Sequence, residues 1–390
     1  MSTLDLNSEL ILFPELEGEA AGTYTTGILP SQEIKELIAK GQICASPEIT
    51  DVQIQPASLD LRLGDIAHRV QASFLPRQGS TVEQRIQELR MTRVDLTGAA
   101  VLEKGCVYIV PLIEELNLPK DIWARANPKS TTGRLDIFTR LITDHGIEFE
   151  YVPPGYKGRL YAEIVSRTFT VHVRAGMRLS QLRFVRGNPR PSDAAMSVLN
   201  QDEPLVYWDE DSPAKAQINR GLLISVNLQA HEASEAIAYK AKKNAPSVDL
   251  GKINHYSPEE FWDVKHQTGN KGLILDPGDF YILASKERIS VPPQWAAEMG
   301  SIDPSIGEFR IHYAGFFDPG FGYGSGDVKG TRAVLEVRAH DVPFLIEDGQ
   351  IVGRLTYMRL LSRPDKIYGT DIGSSYQRQA LTLSKQFKKS

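Results

Sequence analysis

The side chains best suited to chemistry in this sequence fall in two kinds of place. Lys129, Ser130, Thr131, Thr132, Gly133 and Arg134 form a polar run behind Trp123 and the turn-prone pair Asn127-Pro128. Hydroxyls donate hydrogen bonds and a guanidinium presents a fork of donors, so such a turn suits an anionic ligand. Taken alone it is a weak signal, because charged, hydroxyl-rich turns are as a rule solvated loops. Glu163 and Glu336 stand inside apolar strands, LYAEIV and AVLEV. One such Glu would be read as facing solvent; the recurrence of the same Glu leaves that reading and a functional one level. A half-buried carboxylate has a raised pKa, which suits proton transfer near neutral pH.

Other chemistries lack their residues. The H-x-E…P-C-x-x-C pattern of a zinc-water hydrolase needs a C-x-x-C, and the two cysteines, Cys44 and Cys106, do not make one. No protein-bound metal is therefore expected, zinc in particular. There is no P-loop, no G-x-G-x-x-G between a strand and a helix, and no G-x-S-x-G elbow. GFGYGSG (320–326) follows a turn inside a β pattern and reads as a hairpin tip before a phosphate cradle. The formal net charge of -5 argues against a dedicated nucleic-acid binder but not against a site for a free nucleotide. Two cysteines cannot build a disulfide framework, so a reducing compartment is expected. The acidic N-terminus does not read as a signal peptide, and no run of about 18 apolar residues suggests a membrane span. A cytoplasmic protein is the expectation.

The elements that would position these side chains are written twice. Gly105, Tyr108 and Pro119 recur as Gly278, Tyr281 and Pro292; Glu163 and Gly176 recur as Glu336 and Gly349, always at an offset of 173 residues. GMRLSQLRF (176–184) matches GQIVGRLTY (349–357). Upstream, PASLDL (56–61) is matched to APSVDL (245–250), with Ser58 and Asp60 against Ser247 and Asp249 at an offset of 189. Such periodic self-similarity marks a duplicated structural unit.

Within each copy the segments are short, β-branched or aromatic, and nearly alternating: VYIVPL, LYAEIV, TVHVRA and RLSQLRF, then FYILA, RAVLEVRA and IVGRLTY. Turns at Pro153-Pro154-Gly155, Asp318-Pro319-Gly320 and Asp348-Gly349 separate them. The pattern predicts a mainly β chain, a sandwich or barrel in each copy, with a few short helices. Helices are predicted over 31–41, with Ser31 as N-cap and Gly41 as stop, over 82–90, and over 257–267 as the counterpart of the first. The divisions are an N-terminal extension (1–27), repeat 1 (28–186), a connector (187–220), repeat 2 (221–361) and a polar, mobile C-terminal tail (362–390).

The order of these motifs resembles the dCTP deaminase family, whose enzymes are zinc-independent trimers of the dUTPase-like fold; the resemblance implies two tandem dUTPase-like distorted barrels of the β-clip or jelly-roll kind. A helix (28–41) and then QPASLDLRLG (55–64) resemble the family's opening. Lys129 to Asp136 resembles its R-S-S-x-A-R-x-G loop. Tyr313 to Phe321 resembles its T-A-G-W-I-D-P-G-F turn. Tyr161 to Ile164 and Val334 to Val337 each resemble its T-L-E-L strand, and Ala175 to Phe184 its P-G-M-x-I-x-Q-L-x-F strand. Tyr368, Tyr376 and Gln379 stand at the spacing of a tail that closes over the nucleotide.

The resemblance implies hydrolysis of dCTP to dUTP and ammonia, feeding dTTP synthesis. The strand Glu would be the general acid/base for water attack on C4 of cytosine, and Ser130 and Arg134 would hold the water and the developing charge. Lys129 and Thr131 would bind substrate, Asp318 would meet the 3′-hydroxyl, and the Ala314 backbone would read the base. Magnesium would ride on the triphosphate. No nucleic-acid or membrane partner is implied, and a homo-oligomer with ring-like packing of barrels is.

Each copy departs from the family pattern in a different place. Repeat 1 keeps Ser130 and Arg134 but has Pro153 at the family's Asp. Repeat 2 keeps Ala314, Asp318 and Glu336, but the family's two loop arginines fall at Gly300 and Ser305. The resemblance therefore points to a composite site, with Ser130 and Arg134 from repeat 1 and Ala314, Asp318 and Glu336 from repeat 2. The rival is a site within repeat 1 copies that uses Glu163. A dUTP or dCTP diphosphatase and a non-catalytic nucleotide-binding protein are the other readings left open.

Overall fold

The structure, a computed structural model, describes residues 24–208, 212–230, 232, 234–267, 272–300, 309–311, 315–324, 329–339, 341–369 and 381–389. Strands dominate, as the alternating pattern requires. Among the described residues, five short α-helices interrupt them: α1 (Ser31–Ala39), α2 (Val82–Leu89), α3 (Ser130–Gly133), α4 (Asp193–Asp202) and α5 (Pro258–Phe261).

The α1 helix forms where Ile34 and Leu37 recur at helical spacing, and both are buried. It stops at Gly41, whose φ of +66° is one that glycine adopts freely. The predicted cap is displaced by one residue. Pro30, with its fixed φ, is the N-cap, while Ser31 is already helical and its N–H bonds to the carbonyl of Pro56. The α2 helix opens with a reciprocal capping box between Thr81 and Gln84. The helix predicted over 257–267 ends after one turn. From Trp262 to His266 the chain extends and pairs antiparallel with Ala236–Ala241, so sheet pairing overrides the local helical spacing.

The duplication is visible in strand register. Val107–Asn117 pairs antiparallel with Lys157–Ser166, placing Glu163 opposite Ile109. Phe280–Ile289 pairs in the same way with Thr331–Ala339, placing Glu336 opposite Ile282. The second layer repeats too: Ala124 lies opposite Phe184, and Ala297 opposite Tyr357. Tyr108 and Tyr281 each accept a backbone N–H with the phenol oxygen, from Glu103 and Asp276.

One expected equivalence is overturned. Leu59–Arg62 pairs with the strand Arg178–Arg186, and the segment that pairs likewise in the second unit is Leu222–Asn227, with Leu222 opposite Leu355. Glu114 accepts the N–H of Arg62, and Glu287 accepts that of Ser225, which fixes the match. The counterpart of PASLDL is therefore the strand beginning at Leu222, not APSVDL. Val248–Asp249 instead joins the first unit, pairing parallel with Val171 and His172.

The two units share apolar packing. The core of the first includes Leu59, Val110, Ile137 and Phe184 and runs on into Tyr239, Trp262, Phe280, Ile282 and Phe387. The core of the second centres on Ile224, Leu283, Leu335 and Tyr357. The tail is not solvated throughout, because Leu383 and Phe387 are buried in the first core and Phe387 stacks edge-on against Phe261 and Trp262. Among the described residues, no helix is long and apolar enough to cross a membrane.

Candidate active site

The polar run folds as one turn because its flanks are tied down. The strand Ile122–Pro128 ends at the proline, and the Lys129 N–H bonds to the carbonyl of Leu179. The α3 turn follows, and Thr132 also bonds to the Leu179 carbonyl at 2.9 Å. Asp136 closes the loop at φ +55°, a left-handed conformation uncommon for a residue with a side chain. Arg134 and Asp136 are both buried; Ser130 is exposed and Thr131 half-buried.

The loop of the first unit lies against the Glu336 strand of the second. Burial pushes the Glu336 carboxyl up to about 8, while the positive charge of Arg134 pulls it down and Asp136 pushes it further up. Two residues along the same strand, and so on the same face, Arg338 forms an ion pair with Asp136. Arg134 also donates to the Thr382 carbonyl of the C-terminal segment at 3.0 Å. A buried carboxylate of one unit thus lies within the field of a guanidinium of the other.

The same loop reaches a second cluster through Lys129. Its ammonium lies 2.5 Å from each oxygen of the buried Asp60 carboxylate, which Arg178 approaches to 3.3 Å. Asp318 accepts from the buried Arg183 of the first unit at 3.3 Å, and Arg183 also donates to the Ala297 carbonyl and stacks on Phe316. Burial raises the Asp318 carboxyl, against the nearby charges of Arg183 and Lys129. The register that sets Val152 opposite Ala124 and Phe317 opposite Ala297 equates Asp318 with Pro153. Behind Asp318 the chain needs Gly320, because a Cβ there would strike Ile367 and Tyr368. Tyr368 packs on Phe321, with its N–H bonded to the Pro319 carbonyl.

Beside α3 is a cavity of about 310 Å³ lined by Lys129, Thr131, Arg178, Lys385 and neighbouring residues. The C-terminal segment forms one wall. Ser384 donates to the Thr131 carbonyl and Gln386 to that of Leu250. Desolvation and the charges of Lys129 and Arg178 hold the Lys385 ammonium below its usual range.

Glu163 is elsewhere. Its Oε1 accepts from Arg140 Nε at 3.0 Å and Nη2 at 2.5 Å, and its Oε2 is buried without a hydrogen bond. Arg140 is held over the ring of Phe149 and donates to Ser73. Ala314, Tyr376 and Gln379 lie outside the described residues. The structure thus gathers Arg134 with Glu336, and Lys129 with Asp318, and leaves Glu163 apart. Asp136, Arg183, Arg338 and Lys385 were not singled out in the sequence. The one available signal was the two-residue spacing of Arg134 and Asp136, mirrored by Glu336 and Arg338.

Known proteins resemble the chain along most of its length. The N-terminal domain of 2′-deoxycytidine 5′-triphosphate deaminase matches residues 25–188, and its C-terminal domain matches residues 192–387. The crystal structure of 2′-deoxycytidine 5′-triphosphate deaminase from Agrobacterium tumefaciens is 47% identical in sequence, with a TM-score of 0.82, and the match covers 86% of this chain and 100% of that one. The dCTP deaminase of Halorubrum lacusprofundi is 30% identical over 194 residues, 49% of this chain and 91% of the relative. The dUMP-forming dCTP deaminase of Methanobrevibacter smithii is 31% identical over 193 residues, 47% of this chain and 96% of the relative. With both domains matched in order over a duplicated β fold, the chain belongs to the 2′-deoxycytidine 5′-triphosphate deaminase family.

Proposed function

We propose that this chain hydrolyses dCTP to dUTP and ammonia at one composite site, with Glu336 as general acid/base. The observation that carries the reading is the buried Glu336, raised to about 8, facing Arg134 of the other unit. At neutral pH such a carboxyl exchanges a proton readily in either direction. It would take a proton from water attacking C4 of cytosine and return protons to the exocyclic amine, which leaves as ammonia. Ser130 and Arg134 would hold the water and the charge that develops on the ring.

The phosphates would lie toward Lys129 and Thr131, with Arg178 and Lys385 adding positive charge around the cavity. Asp318 would meet the sugar 3′-hydroxyl, held in place by Arg183. Ala314, Tyr368, Tyr376 and Gln379 remain candidates for base reading and closure. Among the described residues, no three His, Cys, Asp or Glu side chains converge as a metal cage, so magnesium would be held by the substrate phosphates, whose charge it would offset. Glu163, neutralised by Arg140, would be structural.

The names of several relatives, such as the Methanobrevibacter smithii protein, favour a second product reading, in which dUTP is cleaved further to dUMP. Product analysis decides between them. The purified chain is incubated with dCTP and Mg²⁺, with and without a zinc-selective chelator. Ammonia with dUTP, unaffected by the chelator, supports the reading. Ammonia with dUMP and pyrophosphate moves the chain to the dUMP-forming branch, and nucleotide binding without turnover refutes catalysis.

A further inference from the structure

Two charged pairs cross the boundary between the units in matched order. The loop presents Arg134 and Asp136; the strand presents Glu336 and Arg338. Arg338 and Asp136 form an ion pair, and the positive charge of Arg134 acts on Glu336. The second pair is the more firmly built. Arg338 Nη2 binds Asp136 Oδ2 and donates to the Thr168 hydroxyl at 3.0 Å, while Nη1 bonds to the Gly278 carbonyl. The Thr168 hydroxyl in turn donates to Asp136 at 2.5 Å. Four segments are thereby joined at one buried point, two from each unit.

We propose that Asp136 and Arg338 are positioning residues, whose ion pair seats the first unit's loop on the second unit's strand so that Arg134 faces Glu336. The proposal rests on Glu336 being the acid/base of the composite site. Three observations carry it. Both side chains are nearly inaccessible, Asp136 at 0% and Arg338 at 7% exposure, and a buried charge is tolerated only when paired and hydrogen-bonded. Asp136 sits in a left-handed conformation, and its carboxylate is held there by both Arg338 and the Thr168 hydroxyl. The first unit lacks the arrangement: Val165 stands where the repeat places Arg338, and Glu163 is satisfied by Arg140 on the adjacent strand. Among the described residues, the matched charges join the first unit's loop to the second unit's strand.

Among the described residues, the charges that act on Glu336 are Arg134, which lowers its midpoint, and Asp136, which raises it. Removing the Asp136 charge removes a negative neighbour that holds Glu336 up, so the Glu336 midpoint should fall. The test uses the full-length chain with Asp136→Asn and Arg338→Lys, measured in two ways. In steady-state turnover of dCTP, Asp136→Asn should lower kcat by about 10-fold or more with KM within about 3-fold, and Arg338→Lys should be intermediate, as expected when a catalytic group is misplaced. In an NMR titration of ¹³C-labelled glutamate carboxyls, with Glu336→Gln identifying the resonance, the Glu336 midpoint should move down from about 8 in Asp136→Asn.

Wild-type kcat together with an unmoved midpoint overturns the proposal. If Asp136→Asn does not fold by circular dichroism, Arg338→Lys, which keeps the charge, carries both measurements under the same criteria. If the wild-type chain does not turn over dCTP, the functional reading fails separately, and the titration still decides whether the pair sets the environment of Glu336.

Discussion

Glu163 and Glu336 hold the same register position in the two units, opposite Ile109 and Ile282, yet they face opposite surroundings. Glu336 receives the loop of the other unit. Glu163 is held by Arg140 of its own unit, and on that face Tyr161, Ile109 and Ile142 pack with Val82 and Ile86 of α2. The α2 helix and its apolar contacts thus cover the first unit's glutamate face.

Glu336→Gln should lower kcat by about 10²–10⁴-fold, the usual contribution of a general acid/base. Glu163→Gln should leave kcat within a few-fold while destabilising the fold by no more than about 3 kcal/mol, since it uncouples a buried ion pair whose arginine is partly exposed. Steady-state kinetics and urea unfolding read the two effects. Activity lost with Glu163→Gln and kept with Glu336→Gln would overturn the assignment.

The pH dependence of stability provides a second check. Because the folded pKa of Glu336 is raised to about 8 from an ordinary value near 4.5, the folded state binds more protons than the unfolded chain between those limits. Its contribution therefore falls as pH rises from about 4.5 to about 8. Glu150, also raised to about 8 by burial, acts in the same sense, so the difference between wild type and Glu336→Gln isolates the effect. The Tm of Glu336→Gln relative to wild type should rise between pH 5 and pH 9. A constant difference would show that Glu336 titrates alike in both states.

Arg183 should be far less tolerant than its place in an ordinary-looking strand suggests. It is 1% exposed and donates to Asp318 and the Ala297 carbonyl. Arg183→Met should cost about 3–5 kcal/mol in urea unfolding, because Asp318 is left without its buried partner. Adding Asp318→Asn should recover part of that loss. A double variant no more stable than the single one would mean that the pair is not coupled.

The C-terminal segment should matter for stability as well as activity. Phe387 is 3% exposed among Tyr256, Phe261 and Trp262. Phe387→Ala should cost about 3–5 kcal/mol, the usual penalty for deleting a buried aromatic ring. It should also raise KM for dCTP, because Lys385 and the Thr382 carbonyl are carried by the same segment. Wild-type stability would show that this segment is not docked in solution.

By itself the sequence determined the duplication, the β class and the glutamates, because strand alternation, turn residues and a repeat offset are properties of local spacing. It also placed Asp318 against Pro153, an equivalence that strand register bears out. It failed where a short strand serves another unit. APSVDL looks like a second PASLDL, yet its Val248 pairs with Val171 of the first unit, and local similarity carries no record of which sheet a strand joins. The segment 257–267 shows the same limit, since its helical spacing yields to pairing with Ala236–Ala241. Only the tertiary structure decided which of two like glutamates is faced by Arg134, and that Asp136 and Arg338 meet. Burial and charge pairing across the unit boundary depend on distances between residues some 200 positions apart, and no spacing along the chain encodes them.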